Sequence, residues 1–196
     1  MRTIIQALEH FSAALSSELK HENFQKLVAQ TQQQNPWFTE THIRMAMEAW
    51  ITALRPEAVS QWLAPYTPAA QSKRIGLIMA GNIPLVGLHD LISCLCMGHQ
   101  LLVKPSSDDS ILSSRILELL GAAHPDWSSR IQLVEKITQA EAVIATGSNN
   151  SSRYFEYYFK HIPHIIRKNR NSVAVLSGDE SDAELQALGY DVFNYF

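Results

Sequence analysis

From Arg74 onward the chain alternates between short, uninterrupted aliphatic runs and helical patterns, and this alternation narrows the possible folds more than any other feature. "RIGLIMAGN", "HQLLVKP", "SRIQLVEKI", "AEAVIATGS", "HIIRKN" and "NSVAVLSGDES" read as strands. "PLVGLHDLISCLCMG" has helical spacing, with Pro84 at its start and Gly98 at its C-cap; "SSDDSILSSRILELLGAA", "NNSSRYFEYYFKHI" and "SDAELQALGY" read as further helices. The strand runs are continuous rather than alternating in polarity, so both faces are expected to be covered. Helices between such strands imply right-handed crossovers and a parallel sheet. The predicted class is α/β: a Rossmann-like, mostly parallel sheet flanked by helices.

The residues before this sheet follow another rule. "IIQALEHFSAALSSEL", "ENFQKLVAQTQQQ", "TETHIRMAMEAWITALR" and "PEAVSQWL" repeat apolar residues every three or four positions, and Pro56 stands where a first helical turn tolerates it. "TQQQNP" reads as a polar connection. "APYTPAAQSK" breaks the pattern with two prolines and small residues. The expected organisation is an N-terminal helical annex over 1–66, a linker over 67–73 and an α/β domain over 74–196.

Composition removes several classes of function. With 46% hydrophobic and 18% charged residues the chain is neither disordered nor a membrane protein in type. No apolar run approaches the roughly 20 residues that cross a bilayer. Met1 to Leu8 lacks the apolar core and cleavage site of a signal peptide, so a cytoplasmic location is expected. A net charge of −3 with scattered Lys and Arg gives no footprint for nucleic acid. Cys94 and Cys96 are two apart, a spacing of neither a disulfide framework nor a zinc site, and are expected to be buried, reduced thiols. His161 and His164 flank Pro163 without a third ligand, and no metal site is expected. His89 and Asp90 are neighbours on a predicted helix, about 100° apart, and do not form a dyad by themselves. "RYFEYYFKHI" presents an aromatic helix face that fits a core or the cover of an absent domain or subunit. Arg167, Lys168 and Arg170 form a small basic cluster expected to be solvated.

In parallel sheets of this kind ligands bind beyond the carboxyl ends of the strands. The residues there are "AGNIP", "KPSSDD" and "TGSNNSS". None is the G-x-G-x-x-G dinucleotide fingerprint, since Gly76 and Gly81 are five apart with no third glycine in place, so an ordinary Rossmann dehydrogenase is disfavoured. Gly147 and Ser148 precede a helix whose free N–H groups and dipole favour a pyrophosphate; an ordinary capped turn is the alternative. Asn82 follows Gly81 in a tight loop and fits either a turn, where Asn tolerates positive φ, or a fixed amide donor to a developing oxyanion. Lys104 ends its strand at Pro105 as a point charge with three donors; a solvated lysine before a helix is its alternative.

Taken in order and spacing, "AGNIP", "LLVKPS", "IATGS" and "RNSVAVLSGDES" resemble the coenzyme-binding half of the aldehyde dehydrogenase superfamily. The Met-Ala-Gly-Asn-Ile-Pro form and "IIRKNRNSVAVLSG" look most like the LuxC-like acyl-CoA reductases, over about Arg74 to Phe196. The resemblance implies NADP(H) as coenzyme and an acyl-CoA or other acyl thioester as substrate, reduced to a (fatty) aldehyde. It implies that Lys104 meets the hydroxyls of the adenine-side ribose, that Gly147 and Ser148 meet the pyrophosphate, and that Asn82 supports the oxyanion. Ser107 stands where NAD-preferring relatives carry an acid, which removes repulsion of a 2′-phosphate and points to NADP; Ser106 would lie against the same ligand. Helix capping by Ser106, Asp108 and Asp109 is the alternative. The superfamily's second glycine in the Thr-Gly-Ser turn is replaced here by Ser151, Ser152 and Arg153.

The resemblance also implies a cysteine nucleophile in another domain, beyond a segment similar to "LGYDVFNYF". Neither Cys94 nor Cys96 lies on the right element. The chain is therefore expected to be the coenzyme portion of an acyl-CoA reductase, without turnover of its own, and its uncovered apolar surface to favour a homo-oligomer. An aldehyde or semialdehyde dehydrogenase fragment and a non-catalytic nucleotide-binding module are the competing readings.

Overall fold

The computed structural model describes Arg2–Asn194; Met1, Tyr195 and Phe196, the ends of the first and last predicted segments, lie outside the described residues. Four helices come first: α1 (Arg2–Glu18), α2 (Phe24–Gln34), α3 (Glu40–Ala53) and α4 (Pro56–Leu63). Each matches a predicted periodic stretch, because the stripe of apolar residues that defines the period is also what the helix buries. Phe11 and Leu15 of α1, Phe24 and Val28 of α2, Ile43 and Met47 of α3 and Leu63 of α4 are all buried. Thr39 caps α3, its hydroxyl accepting the His42 N–H at 3.2 Å.

The sheet begins with β1 (Arg74–Ile78), then α5 (Leu88–Cys96), β2 (Gln100–Lys104), a 3₁₀ turn (Ser107–Asp109), α6 (Ser110–Ala122), α7 (Trp127–Arg130) and β3 (Ile131–Leu133). It continues with β4 (Ala142–Thr146), α8 (Asn149–Phe159) and β5 (His164–Arg167), and α9 (Asp182–Phe193) follows. All five strands are parallel, in the order β3-β2-β1-β4-β5. The chain builds outward from β1 to β3, then returns to the other side of β1 for β4. The carboxyl ends of β1 and β4 thus flank the point where the winding reverses, where crevices open in such sheets.

The return from β3 to β4 has no helix. Residues 134–141 cross one face of the sheet instead, and Gly76 makes room for them: a Cβ there would come within 2.6 Å of Ile137 Cγ2 and 3.1 Å of Val143 Cγ2. The four N-terminal helices and the sheet share one continuous apolar core, in which Leu8 and Phe11 join Leu77, Leu91, Val103, Ile116 and Trp127. Arg115 of α6 clasps the buried Glu18 of α1 with two hydrogen bonds, of 3.0 and 2.7 Å.

The structure departs from several expectations. "NSVAVLSGDES" is not a strand: residues 171–177 have no regular structure, and Val173 and Val175 are 89% and 91% exposed. An extended segment becomes a strand only when it pairs, and residues 171–177 do not pair with the open outer side of β5, the edge of the sheet. The helix expected from Pro84 starts at Leu88, because residues 84–87 turn first, with Leu85 at φ 61°. The strand expected over "SRIQLVEKI" shrinks to Ile131–Leu133 behind the short α7. The aromatic face of α8 is not core, since Tyr154, Tyr157 and Tyr158 are all exposed. Two-sided cover holds for β1 and β2, each with three consecutive buried residues, and fails at β5, where none is buried.

Candidate functional site

The register brings the strand ends level. Lys104 pairs across to Ile78, and Ile78 to Ala145, so Lys104 and Ala145 stand on one row, two strand spacings or roughly 10 Å apart. The loops that begin at Pro105, Met79 and Gly147 therefore leave one rim, at the reversal of the winding. "KPSSDD", "AGNIP" and "TGSNNSS" are brought together by pairing that no local pattern specifies.

Two of these loops touch. A Cβ on Gly81 would lie 2.5 Å from Ser106 Cβ, 2.7 Å from Ser106 Oγ and 3.2 Å from Asp109 Cβ, so glycine is required by close approach. Neither Gly81 nor Asn82 has positive φ, so tolerance of a left-handed backbone is not what the asparagine contributes to this bend. Asn82 is exposed, and its amide has no hydrogen-bond partner among the described residues. Lys104 is half-buried, and its ammonium likewise has no ion-pair or hydrogen-bond partner among the described residues.

Beyond Lys104, the Ser106 hydroxyl accepts the Asp108 N–H at 3.3 Å and caps the 3₁₀ turn. The exposed Ser107 hydroxyl donates to the Asp108 carboxylate at 3.3 Å, which keeps a negative charge at this corner of the rim. Asp109 does not cap α6; it turns inward. It is 1% exposed, one carboxylate oxygen accepts the Ser113 hydroxyl at 2.9 Å, and the other has no partner among the described residues. Burial pushes its carboxyl up to about 6, against the opposing effect of hydrogen bonds from Ser113.

On the β4 side, Ser148 is the N-cap of α8, and its hydroxyl accepts the Ser151 N–H at 3.1 Å. The N–H groups of Asn149 and Asn150, in the first turn, have no intrahelical acceptor and face outward from the helix start. Gly147 is again a matter of room, since a Cβ would press within 2.9 Å of the Phe155 ring. Among the residues that replace the superfamily's second glycine, Ser152 is fully buried and donates to the Asn149 carbonyl at 2.8 Å. Arg153 is exposed.

The basic cluster is solvent-exposed at Lys168 and Arg170, as expected, and two of its members are also paired. Arg167, at the end of β5, forms an ion pair with the buried Asp90 of α5, and Lys168 lies 2.6 Å from Glu156. His89 Nδ1 approaches Asp90 at only 3.8 Å, and Asp90 is turned to Arg167 instead. Cys94 and Cys96 are buried free thiols, as expected. Burial pushes both up to about 12; the neighbouring Asp90 adds to the effect at Cys94. Sequence reasoning missed Gln34, Asn35, the inward turn of Asp109 and the Asp90–Arg167 pair. Only the polar composition of "TQQQNP" hinted at the first two, and it reads equally as solvated.

The architecture has counterparts of known structure. A glyceraldehyde-3-phosphate dehydrogenase, GapN, from Methanocaldococcus jannaschii, complexed with NADP, superposes with a TM-score of 0.63 at 11% identity, covering 86% of this chain and 41% of the other. The fold is that of the aldehyde dehydrogenases. A NAD-dependent benzaldehyde dehydrogenase from Corynebacterium glutamicum gives 0.56 at 15% identity, over 85% of this chain and 41% of that one. An acetylating aldehyde dehydrogenase from Geobacillus thermoglucosidasius gives 0.52 at 10%, over 83% and 40%. The chain thus spans about two fifths of the length of these aldehyde dehydrogenases. Neither a protein-family model nor a curated protein sequence matches it. No helix among the described residues is long and apolar enough to cross a membrane.

Proposed function

We propose that this chain is the coenzyme-binding portion of a LuxC-like, NADP-dependent acyl-CoA reductase, an enzyme that takes a fatty acyl thioester to the aldehyde through a cysteine-bound acyl group. The observation that carries the reading is the level rim, at which an unpaired ammonium, an unpaired amide and a helix start leave adjacent strands.

The residues present suit a dinucleotide. Lys104 offers three donors to ribose hydroxyls or a phosphate, and the first-turn amides of α8 offer a positive dipole end to the pyrophosphate, with Gly147 letting the turn pack against Phe155 of that helix. Ser106 and Ser107 line the corner beside Lys104, where a 2′-phosphate would be accepted by hydroxyls. Asp108, bonded to Ser107, keeps the resulting preference for NADP over NAD modest. When bound, NADPH supplies the hydride. Asn82 holds an amide donor over the rim for the oxygen of a reacting carbonyl. The two thiols of this chain are too deeply buried and too weakly acidic for the acyl-accepting role, which the reading assigns to another residue. An acetylating aldehyde dehydrogenase among the similar structures keeps acyl-thioester chemistry within the range of this fold.

Thermal unfolding with NADP and NAD is the test. At a hundredfold excess over Kd, a ligand that binds only the native state adds about 2.7 kcal/mol of stability. NADP should raise the melting temperature more than NAD, and Lys104→Ala should abolish most of the shift. Equal shifts in wild type and variant would remove the lysine from the site. No shift with either nucleotide would end the coenzyme reading.

A further inference from the structure

Two consecutive side chains at the end of α2 reach both loops of the candidate coenzyme rim. Gln34 Nε2 donates to the Ser107 carbonyl at 2.8 Å and to Ser110 Oγ at 2.6 Å, while its Oε1 accepts the N–H groups of Ser110 at 3.1 Å and Ile111 at 3.2 Å. One amide therefore closes the 3₁₀ turn and supplies the cap that Asp109, at the N-cap position of α6, does not. The next residue, Asn35, donates from Nδ2 to the Gly81 carbonyl at 3.1 Å, and its Oδ1 accepts the Trp37 N–H at 3.1 Å. That second bond fixes the amide so that its donor points at Gly81; Asn35 is itself buried.

The carbonyls held are not arbitrary. Gly81 is joined by a peptide bond to Asn82, and Ser107 stands at the corner beyond Lys104. Gly81 and Ser106 are already in contact, so a shift of either loop is felt by the other. Long polar side chains fixed by several bonds at once define a separation, whereas apolar packing alone leaves loops free to slide.

We propose that Gln34 and Asn35 are positioning residues of the coenzyme site, holding the loop after β1 and the loop after β2 at the separation a bound dinucleotide must span. The N-terminal helices are then part of that site rather than an annex to it. This rests on the coenzyme reading above.

Isosteric variants of the full chain test it. In Gln34→Glu the carboxylate still accepts the Ser110 and Ile111 amides, favourably at a helix start, but sets an oxygen against the Ser107 carbonyl. The melting temperature without ligand should stay near wild type, while affinity for NADP and for adenosine 2′,5′-bisphosphate, each compared with wild type at high salt so that the added charge is screened from the ligand's phosphates, should both fall about tenfold, one net hydrogen bond's worth. Asn35→Asp loses the donor to Gly81 and sets a carboxyl oxygen against that carbonyl, while its other oxygen still accepts the Trp37 N–H. It should weaken NADP, which spans both loops, by a similar factor and leave adenosine 2′,5′-bisphosphate, which engages the Lys104 side alone, unchanged. Gln34→Glu with wild-type affinities overturns the proposal, as does Asn35→Asp weakening both ligands equally or neither. If Asn35→Asp does not fold, Gln34→Glu decides. Wild type that binds no dinucleotide overturns this proposal together with the coenzyme reading, whereas tight wild-type binding with indifferent variants overturns this one alone.

Discussion

Replacing Asp109 by asparagine should change how stability depends on pH. The carboxyl is 1% exposed, and burial moves it from 3.8 in its ordinary state to about 6 in the fold. Each unit of such a shift corresponds to about 1.36 kcal/mol, so ionising Asp109 in the folded protein costs about 3 kcal/mol in total. The native state holds this proton more tightly than the unfolded chain. The wild type is therefore most stable with respect to this group below about pH 4, loses stability as pH rises to about 6, and is level above that. The asparagine side chain of Asp109→Asn cannot titrate. Its carbonyl can still accept the Ser113 hydroxyl, while its N–H₂ faces the position where the carboxylate oxygen had no partner, a penalty of about 1–3 kcal/mol that does not vary with pH. Between about pH 4 and 8 the variant should gain about 2–3 kcal/mol on the wild type, or roughly 5–10 °C in melting temperature for a chain of this size. Urea unfolding of both proteins at half-unit pH steps, followed by the fluorescence of the four tryptophans, of which Trp127 is buried, measures the difference. Parallel curves would show that Asp109 titrates as an exposed acid, and the account of its burial would fall.

Two further outcomes follow from the packing. Gly81→Ala drives a methyl into Ser106 and should destabilise by about 1–3 kcal/mol while weakening nucleotide binding; adding Ser106→Gly should restore much of both, read by thermal unfolding and titration, and a harmless Gly81→Ala would deny the loop contact. Cys94 and Cys96, with thiolate fractions on the order of 10⁻⁴ at pH 8, should resist thiol reagents in the native protein and react at once in denaturant; rapid native labelling of either would contradict their burial.

Much of the architecture is legible in the residues. Leu, Ile, Phe and Met at three- and four-residue spacing mark α1 to α4, and continuous aliphatic runs mark β1, β2 and β4, because the apolar face that gives the pattern is the face that is buried. The loops after the strands are equally visible, since Gly, Pro, Ser and Asn end regular structure for local reasons. Where local pattern and partner disagree, the sequence misleads. Val173 and Val175 alternate as a strand should, yet no strand among the described residues pairs with them. The tyrosines of α8 are spaced like a core face and lie in solvent.

By itself, then, the sequence determined the helices, the parallel sheet and the candidate loops, all of which arise from short-range periodicity and chain-breaking residues. Only the tertiary structure decided that Gln34 caps a helix 76 residues away, that Asn35 holds Gly81, and that Asp109 turns inward to become a weak acid. The physical reason is that a side chain's hydrogen bonds and its ionisation depend on what surrounds it in space, and residues far apart in the chain supply those surroundings.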